Sequence, residues 1–159
     1  MNFDFSDDQK MLRDQAVKFL NDKCDRTLVR SILEDESQFY SKELWSEVSD
    51  MGWTATSIPE EYGGLGLGML ELCVIAEELG RSLAPIPFSS SIYLFVEFMK
   101  NYGSEDQKKK YLPSLATGDR IGSFALAEKN GTPKPSNIQC EFSNGCLLYT
   151  SPSPRDSDS

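Results

Sequence analysis

Ser104-Glu105-Asp106-Gln107-Lys108-Lys109-Lys110-Tyr111-Leu112-Pro113-Ser114-Leu115-Ala116-Thr117-Gly118-Asp119-Arg120-Ile121-Gly122-Ser123-Phe124-Ala125-Leu126-Ala127-Glu128 contains the change of period that decides the fold. Ser104 followed by Gln107 is a capping box: the hydroxyl accepts a first-turn amide while the glutamine reaches back. Pro113 is expected to break or kink the helix so launched, because it lacks an amide proton and its ring meets the preceding turn. After Gly118 the helical period is lost, and residues 121–128 read as a strand.

Upstream of this point every pattern is helical. Ser6-Asp7-Asp8-Gln9 is another capping box, its acids suited to the positive helix end, and Leu12, Ala16, Phe19 and Leu20 follow at helical spacing. Leu28, Ile32 and Leu33 form a weaker pattern. Ser41 is placed to cap a helix with Leu44, Trp45, Val48 and Met51 on one face and Gly52 as its stop. A mainly apolar helix is expected over residues 69–79. The prolines of Leu83-Ala84-Pro85-Ile86-Pro87 require extended backbone before them, and Ser89 or Ser90 is expected to start the next helix through Ile92, Phe95, Val96 and Met99. Downstream, Ile138, Cys140 and Phe142 alternate with polar residues, and Asn144-Gly145 is a strong hairpin signal. The chain therefore reads as mainly α: a helical domain over residues 1–118, then the first strands of an incomplete β domain over 119–145. Residues 146–159 have turn-and-linker composition, resemble translated adaptor sequence, and are expected to be a non-native or disordered tail.

The chain has 159 residues, with 16 Lys+Arg against 25 Asp+Glu and no histidine, for a net charge of −9. Without histidine, Ser-His-Asp and Cys-His relays, H-E-x-x-H zinc sites and imidazole shuttles are excluded for this chain alone. The acidic balance argues against nucleic acid as a partner, and Lys108-Lys109-Lys110 reads as a solvated helix face. Cys24, Cys73, Cys140 and Cys146 form no C-x-x-C pair, so no metal site is expected; Cys73 is expected to be a small buried hydrophobe. The acidic N-terminus is unlike a signal peptide, and the apolar run at 92–96 is cut by Glu97, so no membrane span is expected. The expected location is cytoplasmic.

Gly63, Gly64, Gly66 and Gly68 do not have nucleotide-loop spacing and are expected to supply left-handed turns that return one helix against another. Glu60-Glu61 reads as a solvated pair. Glu77-Glu78 reads as surface or as an ion-pair partner for Arg81. No catalytic centre emerges from these residues.

Four stretches in register carry a family resemblance. Residues 59–66, Pro-Glu-Glu-Tyr-Gly-Gly-Leu-Gly, resemble the P-E-E-Y-G-G-x-G segment of the acyl-CoA dehydrogenases. Residues 77–81 are similar to their E-E-L-G-R, residues 103–113 to their G-x-x-x-Q-K-x-x-Y-L-P, and residues 118–128 occupy the place of the strand entering their middle domain. The resemblance covers roughly residues 1–145. It implies an N-terminal up-and-down helical domain, a middle β domain and a C-terminal four-helix domain, with FAD as cofactor. The implied reaction is oxidation of the Cα–Cβ bond of an acyl-CoA to a trans-2-enoyl-CoA, with reoxidation by an electron-transfer flavoprotein and assembly as a homo- or hetero-oligomer. The family's base is a glutamate of the C-terminal domain, so no residue of this chain inherits a catalytic role.

Where the family reads Tyr/Phe-x-Val/Leu-Thr-Glu-Pro at its flavin-contacting strand end, this chain reads Phe124-Ala125-Leu126-Ala127-Glu128-Lys129. The resemblance thus assigns Phe124, Leu126 and Ala127 to cofactor binding, with Ala127 replacing a threonine whose hydroxyl contacts the flavin. Strand core packing is the plain alternative for Phe124 and Leu126. The family's following G-S-D element is absent over residues 131–137. By register, Ser90, Ser91 and Leu94 fall on the wall of the acyl cavity, with helix capping and core as their alternative. The 83–87 stretch looks like the branch containing heteromeric dehydrogenases for bulky acyl groups, such as steroid side chains, in which one subunit type has a degenerate flavin site. A non-catalytic subunit of such an assembly is therefore a second expectation, and an inactive helical interaction module a third for the isolated chain.

Overall fold

The computed structural model describes residues 4–124, 140–143 and 146–148. Two compact units are present, Met1–Ser123 and Phe124–Ser159.

The first unit is helical. Its elements are α1 (Asp7–Lys23), α2 (Arg26–Glu34), α3 (Lys42–Asp50) and α4 (Met69–Arg81), then a π-helical segment (Ser89–Val96) that runs directly into α5 (Glu97–Tyr102), and finally α6 (Glu105–Ala116). Two short 3-10 turns, Trp53–Ala55 and Glu60–Tyr62, shape the link from α3 to α4. Both expected capping boxes form, Ser6 with Gln9 and Ser104 with Gln107. Ser41 Oγ accepts the Leu44 amide at 3.2 Å, as its position before α3 requires.

α1 packs along α4. Ala16 and Leu20 of α1, Leu72, Ile75 and Leu79 of α4, and Leu44, Trp45 and Val48 of α3 enter one buried core with Ile92, Val96, Leu112 and Leu115. Burying a Leu or Ile side chain contributes about 1.5–3 kcal/mol, so this shared interior, not helix propensity, holds the short helices in place. α6 is tied to α3 and the first 3-10 turn at its C-terminal end. Trp45 Nε1 donates to the Gly118 carbonyl at 2.9 Å, and Thr54 Oγ1 donates to the Ala116 carbonyl at 2.7 Å. The Ala116 carbonyl, at the helix end, has no partner within the helix.

Several expectations are corrected. α6 continues through Pro113 to Ala116: the proline is exposed and near the helix end, so the missing amide costs little there. Cys73 is exposed, because α4 turns Leu72, Ile75 and Leu79 to the core and leaves residue 73 on the outer face. Leu83 is not extended; its φ of +52° places it in the left-handed region, and the Ala84 amide bonds back to the Leu79 carbonyl at 3.0 Å. This is the helix-ending geometry usually given to glycine. The next helix does start at Ser89, as expected, but without a side-chain cap. Residues 121–124 do not form a strand, since the Gly122 amide is held by a side chain; residues 125–128 lie outside the described residues.

The glycine turn between the second 3-10 turn and α4 divides its tasks. Gly63 and Gly66 adopt positive φ, but Gly68 does not and instead precedes α4. Gly64 is there for close approach: a Cβ on it would lie 1.9 Å from the Ile58 carbonyl oxygen. Glu60 and Glu61 are exposed, as expected.

In the second unit, β1 (Glu141–Ser143) pairs antiparallel with β2 (Cys146–Leu148), with Ser143 opposite Cys146. Asn144-Gly145, the expected hairpin turn, lies outside the described residues. The return strand falls within the stretch read as a tail.

Candidate functional site

The site is built around the π-helical segment. In a π-helix each amide reaches the fifth carbonyl back; such turns are rare and are frequent at functional positions. Here the winding puts Ser91, Ile92 and Val96 wholly inside the core and leaves Leu94 exposed. Phe88 anchors the start of the segment through edge-on ring contacts with Trp45 and with Tyr93, at 6.4 and 5.3 Å between centroids. Burial pushes the Tyr93 phenol far above its ordinary range, with the Cys73 thiol a lesser influence.

Ser91 is the decisive side chain. Its Oγ accepts the Gly122 amide at 3.0 Å, and both residues are buried. Gly122 lies so close to Phe95 that an added Cβ would come within 2.2 Å of that ring. The chain leaving α6 is therefore latched against the π-helical segment two residues before Phe124, the first of the residues assigned to cofactor contact. Sequence reading places Ser91 on this helix but misses Gly122 as its partner; no local pattern announces a contact 31 residues away.

The other assigned residues are more dispersed. Ser90 is half-buried and donates to the Pro87 carbonyl at 3.1 Å, and Leu94 points outward. Ser90, Ser91 and Leu94 line none of the four cavities described. Phe124 is half-buried and lines none of them either. Leu126 and Ala127 lie outside the described residues. No group of three acidic or thiol side chains suited to a metal occurs among them, and no helix among them is long and apolar enough to cross a membrane.

A charged network fastens α1 to the end of α4. Glu78 is only 2% exposed and receives Arg13 Nε at 3.1 Å and Arg81 Nε at 3.2 Å. Glu77, half-exposed, takes the Nη2 atoms of the same two arginines at 3.3 and 2.9 Å. Arg81 is thus the partner expected, but Glu78 is buried and not surface, and Arg13 was not foreseen. Its signal was available: Gln9 and Arg13 stand one turn apart on α1, and Gln9 likewise reaches Glu71 at 2.8 Å. That bond is the largest cause holding the Glu71 carboxyl below its ordinary range. Across the turn, Tyr62 donates to Glu105 Oε2 at 2.8 Å, which pushes the phenol up to about 12 and holds the carboxyl down.

Residues 6–119 match the family model for the acyl-CoA dehydrogenase N-terminal domain. The chain belongs to the acyl-CoA dehydrogenase family. It is 33% identical over 139 residues to a mitochondrial 2-methylacyl-CoA dehydrogenase of Solanum tuberosum, covering 84% of this chain and 33% of that protein. Among solved structures, it superposes on the Bacillus anthracis acyl-CoA dehydrogenase complexed with FAD at a TM-score of 0.71 and 30% identity, over 81% of this chain and 22% of that one. It also superposes on the ChsE4-ChsE5 complex of Mycobacterium tuberculosis at a TM-score of 0.78 and 26% identity, over 92% of this chain and 39% of that one. The chain spans about a third of the length of the curated relatives it matches. The match to an acyl-CoA dehydrogenase N-terminal domain makes this mainly helical unit the helical domain that the resemblance implied.

Proposed function

We propose that the protein containing this chain oxidises the Cα–Cβ bond of an acyl-CoA thioester to the trans-2-enoyl-CoA. The observation that carries the reading is the family match over residues 6–119, nearly the whole helical unit. FAD, when bound, supplies a two-electron acceptor for the hydride leaving the β carbon. The α proton goes to a carboxylate outside this chain, by resemblance a glutamate of the C-terminal domain. Of this chain's own residues, Phe124 and the backbone at Leu126 and Ala127 would contact the cofactor, and Ser90, Ser91 and Leu94 would belong to the acyl wall. Their task is to position and to exclude water. Ser91 acts by holding the Gly122 amide at the end of the helical unit. An electron-transfer flavoprotein would accept the electrons, and the full-length protein would be a homo- or hetero-oligomer.

The experiment is to purify the full-length protein, reconstitute it with FAD and titrate it anaerobically with acyl-CoA thioesters of differing chain length. Bleaching of the oxidised-flavin band by at least one thioester is expected. Failure to retain flavin after reconstitution would overturn the reading.

A second reading is a non-catalytic subunit of a heteromeric acyl-CoA dehydrogenase. It is favoured by Ala127 in place of the family's threonine and by the likeness to the Mycobacterium tuberculosis complex. Co-expression with candidate partner chains separates the two readings: flavin recovered only in a mixed oligomer supports the second, and a flavin-loaded homo-oligomer refutes it.

A further inference from the structure

We propose that the cleft between α2 and the end of α4 is a separate binding site for a long-chain carboxylate. Its polar half is a cavity of about 590 Å³ with Arg26, Arg30 and Arg81 on its wall, beside Asn21 and Ser82. Two acids also line it, so its three arginines leave a single net positive charge there. Glu78 is held by Arg13 and Arg81, while Asp25 caps α2 by accepting the Leu28 amide at 2.8 Å. Arg26 and Arg30, by contrast, form no ion pair among the described residues. They stand four residues apart on α2, where like charges are neighbours and destabilise a helix. An anionic head between them removes that repulsion.

The apolar half adjoins it. A cavity of about 490 Å³ shares Val29 and Leu83 with the first and continues along Leu33, Pro85, Ile86 and Phe88. Each volume lies within the roughly 300–1,000 Å³ typical of small-molecule sites. Leu83 stands at the junction. Its left-handed backbone costs about 1–2 kcal/mol for a residue with a Cβ, yet its side chain is 71% exposed and gains little from burial in return. Leu33, on the same apolar wall, is 77% exposed. A carboxylate held by Arg26 and Arg30, with its chain lying over Leu83 and Leu33, satisfies the charge and covers both leucines. The site does not depend on the redox reading above.

The test is calorimetric titration of the 159-residue chain with dodecanoate below its micelle concentration, with dodecanol and inorganic phosphate as comparison ligands. Saturable binding of one dodecanoate is expected, with dodecanol and phosphate each at least tenfold weaker. The R26Q/R30Q variant should lose at least tenfold, the loss that follows from removing one charge-assisted contact of about 1.4 kcal/mol or more. L83S should lose severalfold. If the double variant fails to fold by circular dichroism, R30Q alone should still lose severalfold. Absence of saturable binding, unchanged affinity in the folded arginine variant, or equal binding of dodecanol or phosphate would each overturn the proposal.

Discussion

Ser91→Ala tests the latch directly. The substitution removes the only acceptor shown for the Gly122 amide, at a position that is buried. Water cannot readily replace the hydroxyl, because Phe95 already fills the space beside Gly122. The cost is therefore not the roughly 1 kcal/mol of an ordinary hydrogen bond but the desolvation of an unpaired buried donor, about 1–3 kcal/mol. Alanine has a higher helix propensity than serine, which offsets a few tenths of that. The assay is urea unfolding followed by circular dichroism, together with amide hydrogen exchange at Gly122. With a slope of about 1–3 kcal/mol per molar urea, the midpoint should fall by roughly 1 M at an unchanged slope, and Gly122 should lose its exchange protection. A midpoint within about 0.2 M of the parent, with Gly122 still protected, would refute the latch.

Three further outcomes follow from other contacts. Glu78→Gln should cost about 1–2 kcal/mol; this is less than the 3–5 expected for breaking a fully buried pair, because Arg13 and Arg81 both reach solvent. Glu77→Gln, at an exposed position, should cost under about 0.5 kcal/mol, and equal losses in thermal denaturation would show that burial does not set the difference. Gly64→Ala places a methyl against the Ile58 carbonyl and should destabilise by about 3 kcal/mol or more; a melting temperature within 2 °C of the parent, on the order of a 0.5 kcal/mol change, would contradict the close approach. Tyr62 has a folded pKa raised from 10.0 to about 12. Its folded state holds the proton more tightly, so that contribution is complete below pH 10 and is lost as the pH rises towards about 12. Tyr62→Phe should flatten the alkaline part of the stability profile, and an unchanged slope across that window would count against the Glu105 contact as its cause.

The sequence alone carried the order of the helices, because capping chemistry and a 3.6-residue period are local; it did not carry the π-helical winding over Ser89–Val96. Ser6-Gln9, Ser41 and Ser104-Gln107 needed only their own neighbours to be read. The family motifs were legible for a related reason: each is a contiguous run of residues. What the sequence did not disclose is which distant groups meet. Glu77 and Glu78 are adjacent and chemically identical, yet the 100° turn of α4 buries one between two arginines and leaves the other half-exposed. Cys73 and Val74 differ in the same way, one outside and one inside. Gly122 looked like part of a strand, but Ser91, 31 residues earlier, takes its amide. Leu83 occupies a backbone conformation that no local rule would give to leucine. Sequence patterns disclosed the capped starts at Ser6, Ser41 and Ser104, but not the π-helical winding over Ser89–Val96 or the continuation past Pro113. Only tertiary packing decided which face turned inward, because burial and long-range hydrogen bonds depend on where other elements lie.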